Sequence, residues 1–118
     1  MTRVTIKNLF DKTIAIEDHT KSLLKHFHEN GIDWMHACGA RGRCTTCRLM
    51  VVEGSEVFEP LTDPELRYQS IGALLPGERL ACQARLREAA PGTPVHVVVR
   101  VPRDTQLPHL RYSDRENA

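Results

Sequence analysis

Apolar and polar residues alternate near the start of the chain. Val4 and Ile6 alternate with polar residues, and Ile14 and Ile16 resume the same period after a polar turn at residues 11–12. A period of two is typical of a strand with one buried face, so the pattern predicts a β-hairpin. Two more strands are predicted downstream, and the apolar density of the last one indicates a central position in a sheet. They cover residues 49–53 and 95–101.

Two segments carry helical signals. The first has apolar residues spaced to share one helical face, and we predict that it runs from a Thr20 cap to Glu29. In the second, Thr62 followed three residues later by Glu65 predicts the start of a short helix that ends near Ile71. The order of strands, helices and loops therefore predicts an α+β domain, with a mixed sheet and one main covering helix.

The length and the chain's last segment determine the predicted domain organisation. A chain of 118 residues is enough for one compact domain. After Pro102 the sequence becomes polar, so we predict a domain at residues 1–102 and a tail at residues 103–118. The tail is expected either to wrap the surface or to fray.

The net charge and the length of the apolar runs argue against a nucleic-acid partner and against a membrane span. The formal net charge of +1 does not favour a nucleic-acid partner. The longest apolar runs are far shorter than the roughly 20 residues that span a bilayer, and no secretory segment is recognised, so we expect a cytoplasmic protein without a membrane span. We also expect a monomer.

The cysteines are the most informative residues. Three of them form a C-x5-C-x2-C run and the fourth follows after 34 residues. In a reducing compartment such a set indicates metal ligation or redox chemistry rather than disulfides. Four thiolates can complete a [2Fe–2S] cluster, two for each iron. The four candidate ligands are Cys38, Cys44, Cys47 and Cys82.

Two other kinds of cysteine site are weaker interpretations. A structural zinc site usually has two C-x2–4-C pairs, and this sequence has one such pair. A dithiol redox motif at Cys44 and Cys47 would need neither of the other two cysteines. The loop around the first three cysteines contains Gly39 and Gly42, which allow the backbone to turn its N–H groups toward cluster sulfurs. The pattern therefore favours the cluster.

These residues resemble the [2Fe–2S] ferredoxins. The gap of five residues between the first two cysteines is similar to the vertebrate-type, adrenodoxin-like branch and its bacterial relatives, and the resemblance covers about residues 2–101. It implies a β-grasp fold with a cluster-binding loop and a one-electron carrier rather than an enzyme. It also implies that Cys38 and Cys44 hold the iron nearer the surface, and that Cys47 and Cys82 hold the inner iron.

The resemblance also implies partners. A flavin-dependent ferredoxin reductase would supply electrons, and an oxygenase, a P450-like hydroxylase or the cluster-assembly machinery would accept them. The chain lacks a Gly-rich nucleotide fingerprint between a strand and a helix, so flavin and NAD chemistry is expected in another protein. The alternative is a cluster protein that does not shuttle, either a sensor or a fixed subunit of a larger redox complex.

Several side chains near the cysteines or on the first helix have expected roles. Arg41 and Arg43 place positive charge in the cluster loop, which favours the reduced cluster and raises its potential. The loop edge at their position is the expected contact face for a partner. Trp34 is expected to anchor the core, whereas His26 and His28 are expected at the surface.

Overall fold

The computed structural model describes residues 2–34, 47–88, 93–107 and 112. Within these residues lie five strands and two helices. The elements are β1 (Thr2–Ile6), β2 (Lys12–Ile16), α1 (Leu23–Glu29), β3 (Arg48–Glu53), α2 (Asp63–Ser70), β4 (Glu78–Leu80) and β5 (Val95–Arg100), with short 3-10 turns at Ser55–Val57 and Arg103–Thr105. The strands form one sheet in the order β2-β1-β5-β3-β4. β1 and β5 are parallel and the other neighbours are antiparallel, which confirms the predicted mixed sheet.

The β1–β2 hairpin shows the predicted alternation, but its turn begins earlier than predicted. Val4 pairs with Ile14, and both side chains are buried. The turn occupies residues 7–11. Asn8 leaves the strand pattern because its buried side chain exchanges two hydrogen bonds of 2.8 Å with the backbone of Val101. The turn is therefore bound to the residue that directly follows β5.

Helix α1 starts at Leu23, later than the predicted cap at Thr20. The hydroxyl of Ser22 accepts a hydrogen bond from the backbone N–H of Lys25 at 3.4 Å, so Ser22 is the N-cap. The Thr20 hydroxyl instead donates to the carboxylate of Asp18 at 2.5 Å. The prediction of Thr20 as the cap is wrong because this local turn engages its side chain before the helix begins.

The two helix histidines differ in environment. His28 is exposed, as predicted. His26 is buried, and its Nε2 lies 2.7 Å from the backbone carbonyl of Asp18, to which the ring donates. The prediction of a surface position for His26 is wrong because the loop before the helix folds back and supplies this partner.

β5 lies between β1 and β3, which confirms its predicted central position. The side chains of Val97 and Val99 are fully buried there. Gly54, at the end of β3, has a φ of +88°, and a Cβ at this position would lie 3.0 Å from the Cγ2 atom of Val97. Glycine therefore permits the close approach of the chain to β5.

Helix α2 begins at its predicted start. Thr62 and Glu65 form a reciprocal capping box, in which each side chain accepts a backbone N–H from the other residue. The following strand, Glu78–Leu80, was not predicted as a separate element. Two of its three residues are charged although all three are buried, so hydropathy gives no strand signal.

Part of the predicted tail packs on the domain. Thr105 and Gln106 are buried, and Tyr112 is also buried, with its hydroxyl accepting the backbone N–H of Leu107 at 3.0 Å. The other residues of the segment 108–118 lie outside the described ranges, so the division of the chain at residue 102 stays a prediction. The helices found within the described ranges are too short or too polar to cross a membrane.

Candidate metal centre

Two of the four predicted ligands lie in described parts of the structure. Cys47 immediately precedes β3 and is fully buried, and Cys82 follows β4 and is 7% exposed. Cys38 and Cys44 lie in residues 35–46, outside the described residues. The predictions for Arg41 and Arg43 fall in the same segment.

A backbone hydrogen bond joins the segments of the two described cysteines at the end of the β3–β4 ladder. The carbonyl of Cys47 accepts the N–H of Ala81 at 3.1 Å. This bond lies one step beyond the Arg48–Leu80 pair at the end of the β3–β4 ladder. The backbone of Cys47 is thus hydrogen-bonded to Ala81, the residue just before Cys82, although the two cysteines are far apart in the sequence.

Trp34 makes a second contact with the same carbonyl. Its indole Nε1–H donates to the carbonyl oxygen of Cys47 at 3.1 Å. The ring is buried and stacks on Phe27, with the two ring centroids 4.4 Å apart. The predicted anchoring role of Trp34 is confirmed, and the indole also connects helix α1 to the backbone of a candidate ligand.

The first turn of α1 holds the segment around Cys82. The first N–H groups of a helix have no partner within the helix. Here the N–H of Leu24 donates to the carbonyl of Ala81, and the N–H of Leu23 donates to the carbonyl of Ala84, both at 2.9 Å. These two bonds flank Cys82, so the helix fixes the backbone on both sides of this thiol.

A buried ion pair holds the same segment from the side of α2. The Glu65 carboxylate accepts hydrogen bonds from Arg79 Nε at 2.6 Å and from its Nη2 at 2.9 Å, and Glu65 is fully buried. The same carboxylate accepts the backbone N–H of Leu80 at 3.0 Å. The Arg79 guanidinium also donates to the carbonyl of Glu59 at 2.9 Å and lies over the ring of Phe58. Helix α2 is thereby connected to the strand that leads into Cys82.

The ion pair changes the acid–base behaviour of Glu65. Burial alone would raise its pKa, but the hydrogen bonds from Arg79, Thr62 and Leu80 favour the carboxylate and hold the pKa below its ordinary value. Sequence analysis identified Glu65 only as a capping residue. The sequence gives no signal for this ion pair, because hydropathy does not reveal that Arg79 is buried and therefore needs a partner.

Gln83 contacts the sulfur of one candidate ligand. Its Nε2 lies 3.8 Å from Sγ of Cys82. No role was predicted for Gln83 from the sequence.

The chemistry of these donors fits a metal centre with soft ligands. Thiolates bind iron and zinc well, and burial excludes competing water. Among the described residues, no group of three or more His, Cys, Asp or Glu side chains could hold a metal ion. A metal held by Cys47 and Cys82 would therefore need further ligands, and Cys38 and Cys44 are the two remaining cysteines of the chain.

Comparisons with known proteins identify the kind of centre. A family model described as a 2Fe-2S iron-sulfur cluster binding domain matches residues 5–87. The chain is 33% identical over 87 residues to the 2Fe-2S ferredoxin-5 of Aquifex aeolicus (strain VF5), a match that covers 73% of this chain and 88% of the relative. The spacing-based preference for a [2Fe–2S] cluster over zinc is confirmed.

Solved structures support the fold. The ISC-like [2Fe-2S] ferredoxin of Pseudomonas putida JCM 20004 superposes with a TM-score of 0.70 at 22% identity, covering 92% of this chain and 98% of that one. A chain of the covalent putidaredoxin reductase–putidaredoxin complex superposes with a TM-score of 0.60 at 26% identity, covering 85% of this chain and 97% of that one. The predicted β-grasp fold is confirmed.

Proposed function

The chain belongs to the 2Fe-2S iron-sulfur cluster binding domain family, and we propose that all four of its cysteines hold its [2Fe–2S] cluster. The proposed ligands are Cys38, Cys44, Cys47 and Cys82. The observation that carries this proposal is the backbone bond from Ala81 to Cys47, because it holds two buried cysteines distant in sequence at the end of one strand pair. Following the family resemblance, we assign Cys47 and Cys82 to the inner iron.

This chain is a [2Fe–2S] ferredoxin-type electron carrier rather than an enzyme. The bound cluster supplies a centre that takes up and releases one electron. The described residues orient two thiols and exclude water from them. Trp34, the first turn of α1 and Glu65 hold the backbone around these thiols through hydrogen bonds. Such rigidity limits the rearrangement that accompanies a change of charge.

We propose a flavoprotein ferredoxin reductase as the electron donor. The similarity to putidaredoxin, which is covalently joined to putidaredoxin reductase in that solved complex, supports this choice. An oxygenase, a P450-like hydroxylase or a cluster-assembly protein is proposed as the acceptor on the sequence resemblance. In this scheme the reductase would supply one electron and the acceptor would remove one, which would leave the carrier unchanged after each cycle.

The ligand proposal is tested by replacing Cys82 with Ser. We expect wild-type protein to be red-brown, with iron and acid-labile sulfide bound and a paramagnetic signal after reduction. Cys82→Ser should lose or strongly alter the cluster, because a hydroxyl is a harder and less acidic ligand than a thiol. Ala15→Ser, at an exposed strand position, is the matched control and should retain the cluster. An unaltered cluster in Cys82→Ser would show that the ligand set is wrong.

Reversible cycling with a reductase tests the carrier proposal. Repeated reduction and reoxidation without loss of visible absorbance is expected. A cluster that degrades on oxidation, together with a changed affinity for a stably bound partner, would favour the sensor or the fixed subunit. Cytoplasmic location and the monomeric state stay predictions, to be checked by cell fractionation and by light scattering of the purified protein.

A further inference from the structure

Gln83 places an amide donor against the sulfur of the residue before it. The distance from its Nε2 to Sγ of Cys82 is 3.8 Å. This is longer than a usual N–H···O bond, in part because sulfur is larger than oxygen, and it is a weak hydrogen bond. Neighbouring side chains point apart in a regular strand, so the contact depends on the turn that the chain makes after β4.

The backbone of that turn is held in place at several points. The N–H groups of Gln83 and Ala84 both donate to the carbonyl of Leu80, at 2.9 and 2.8 Å. On either side of the turn, the first-turn amides of α1 bind the carbonyls of Ala81 and Ala84. The amide of Gln83 is therefore presented to the sulfur by a fixed backbone.

Burial increases the effect of this contact. Cys82 is 7% exposed and Gln83 is half-buried, so few water molecules can compete for the sulfur. A thiolate bound to iron carries negative charge, and reduction of the cluster increases the charge shared by its sulfurs. A donor therefore stabilises the reduced state more than the oxidised state.

We propose that the Gln83 side chain is a determinant of the reduction potential, which it raises through an N–H···S hydrogen bond to Cys82. The proposal rests on the proposed function in one respect, the assignment of Cys82 as a ligand. Gln83 binds no iron in this scheme. Its role is to stabilise added charge on the sulfur.

The direct test is Gln83→Met, which keeps an unbranched side chain of similar length and removes the N–H. With iron and sulfide content unchanged, we expect the equilibrium constant for reduction to fall about three- to tenfold, the range for one hydrogen bond. A tenfold fall corresponds to a potential lowered by about 59 mV for a one-electron couple. Gln69→Met makes the same substitution at an exposed position on α2 and should leave the potential unchanged.

Two further measurements separate hydrogen bonding from a general disturbance of the fold. In D2O, N–D···S bonding shifts the Fe–S stretching bands in the resonance Raman spectrum. Part of that shift should disappear in Gln83→Met and persist in Gln69→Met. Gln83→Lys restores a donor, so the part of the deuterium shift that Gln83→Met loses should return. The deuterium shift is the readout for this variant, because the positive charge of Lys raises the potential by itself.

The outcomes distinguish this inference from the ligand assignment. If Cys82→Ser loses the cluster but Gln83→Met keeps both the wild-type potential and the full deuterium shift, the role of Gln83 is refuted while the ligand assignment stands. If Cys82→Ser keeps an unaltered cluster, the ligand assignment itself fails. If Gln83→Met loses its cluster, Gln83→Lys and Gln83→Glu decide: a deuterium shift that is not larger with the Lys donor than with the Glu carboxylate overturns the proposal.

Discussion

Two carboxylate–cation pairs on different sides of the molecule have similar geometry but very different surroundings. Glu65 and Arg79 approach to 2.6 Å, with side chains that are 0% and 11% exposed. Lys21 and Glu29 approach to 3.0 Å beside helix α1, with side chains that are 34% and 44% exposed. The first pair joins α2 to the strand before Cys82, whereas the second joins two surface positions.

The burial of the side chains, more than the distance between the charged atoms, decides how much each ion pair contributes to the stability of this protein. Water solvates the charges of Lys21 and Glu29 whether or not they meet, so their pairing adds little. Glu65 and Arg79 have lost most of that solvation and depend on each other. The buried pair therefore makes the fold intolerant of the loss of either partner, and it applies this constraint to the backbone beside a proposed ligand.

Breaking the buried pair should have the largest effect. Glu65→Gln keeps the shape of the side chain but leaves the Arg79 charge without its counter-charge, and we expect a loss of about 3–5 kcal/mol of unfolding free energy. Urea denaturation followed by circular dichroism measures the loss. Cluster loss should also occur at lower urea concentration, as followed by visible absorbance.

A double substitution provides the control for this prediction. Replacing both partners by apolar residues, Glu65→Leu with Arg79→Met, removes the buried charge altogether and should recover part of the stability. A double variant that is less stable than Glu65→Gln would contradict the role assigned to the unpaired charge.

The pH dependence of the unfolding free energy should also report on the Glu65–Arg79 pair. The pKa of Glu65 is held below its ordinary value of 4.5 in the folded protein, so its carboxylate stabilises the fold above that value. This contribution should be lost as the pH falls from about 4.5 through the lower folded pKa. The effect should be smaller than that of substitution, because the lowered pKa keeps much of the Glu65 carboxylate ionised even somewhat below pH 4.5.

The contribution of the Glu65 charge is measured as the difference in melting temperature between wild type and Glu65→Gln, because the acid lability of the cluster affects both proteins. Melting temperatures of wild type and Glu65→Gln should approach each other as the pH falls below 4.5. A constant difference across that range would contradict the assigned pKa direction.

Loss of the Trp34 indole N–H should have an intermediate effect on stability. This neutral group donates a hydrogen bond to the backbone of Cys47, one of the proposed ligands. Trp34→Phe removes the N–H that donates to the Cys47 carbonyl while keeping an aromatic ring against Phe27. We expect a loss of about 1 kcal/mol of unfolding free energy for the missing hydrogen bond, plus a small packing term. Trp34→Ala, which also removes the stacking, should be clearly less stable in the same urea titration. Equal stability of the two variants would show that the ring does not contribute.

The smallest effect is expected at the surface pair. Hydrogen bonding to Lys21 lowers the pKa of Glu29, but both groups are solvent-exposed. Glu29→Gln should therefore leave the urea midpoint nearly unchanged and respond little to added salt. A destabilisation comparable to that of Glu65→Gln would contradict the distinction between the two pairs.

Much of the fold follows from local sequence signals. The period of two in β1 and β2 and the apolar density of β5 predicted these strands, because a sheet buries alternate residues or whole central strands. The capping box at Thr62 and Glu65 predicted the start of α2. Each signal acts over a few residues, so it can be recognised without the tertiary structure.

The predictions that failed involved competing partners. Thr20 is a good capping residue by type, but Asp18 engages its hydroxyl, and Ser22 becomes the cap. His26 has a polar side chain typical of a surface, but a backbone carbonyl that lies nearby only in the folded chain satisfies its ring. Neither choice between partners can be made from the residue type alone.

The sequence by itself determined the four cysteines and their spacing and favoured a [2Fe–2S] cluster over zinc, because ligand chemistry depends on residue type and number. Only the tertiary structure decided how the backbone of Cys47 is joined to the segment of Cys82 and what surrounds the two residues. The backbone bond to Ala81, the amide of Gln83 and the Glu65–Arg79 pair all join residues through turns and strand pairing. Such contacts depend on where the chain folds back on itself, and residue spacing does not encode this directly.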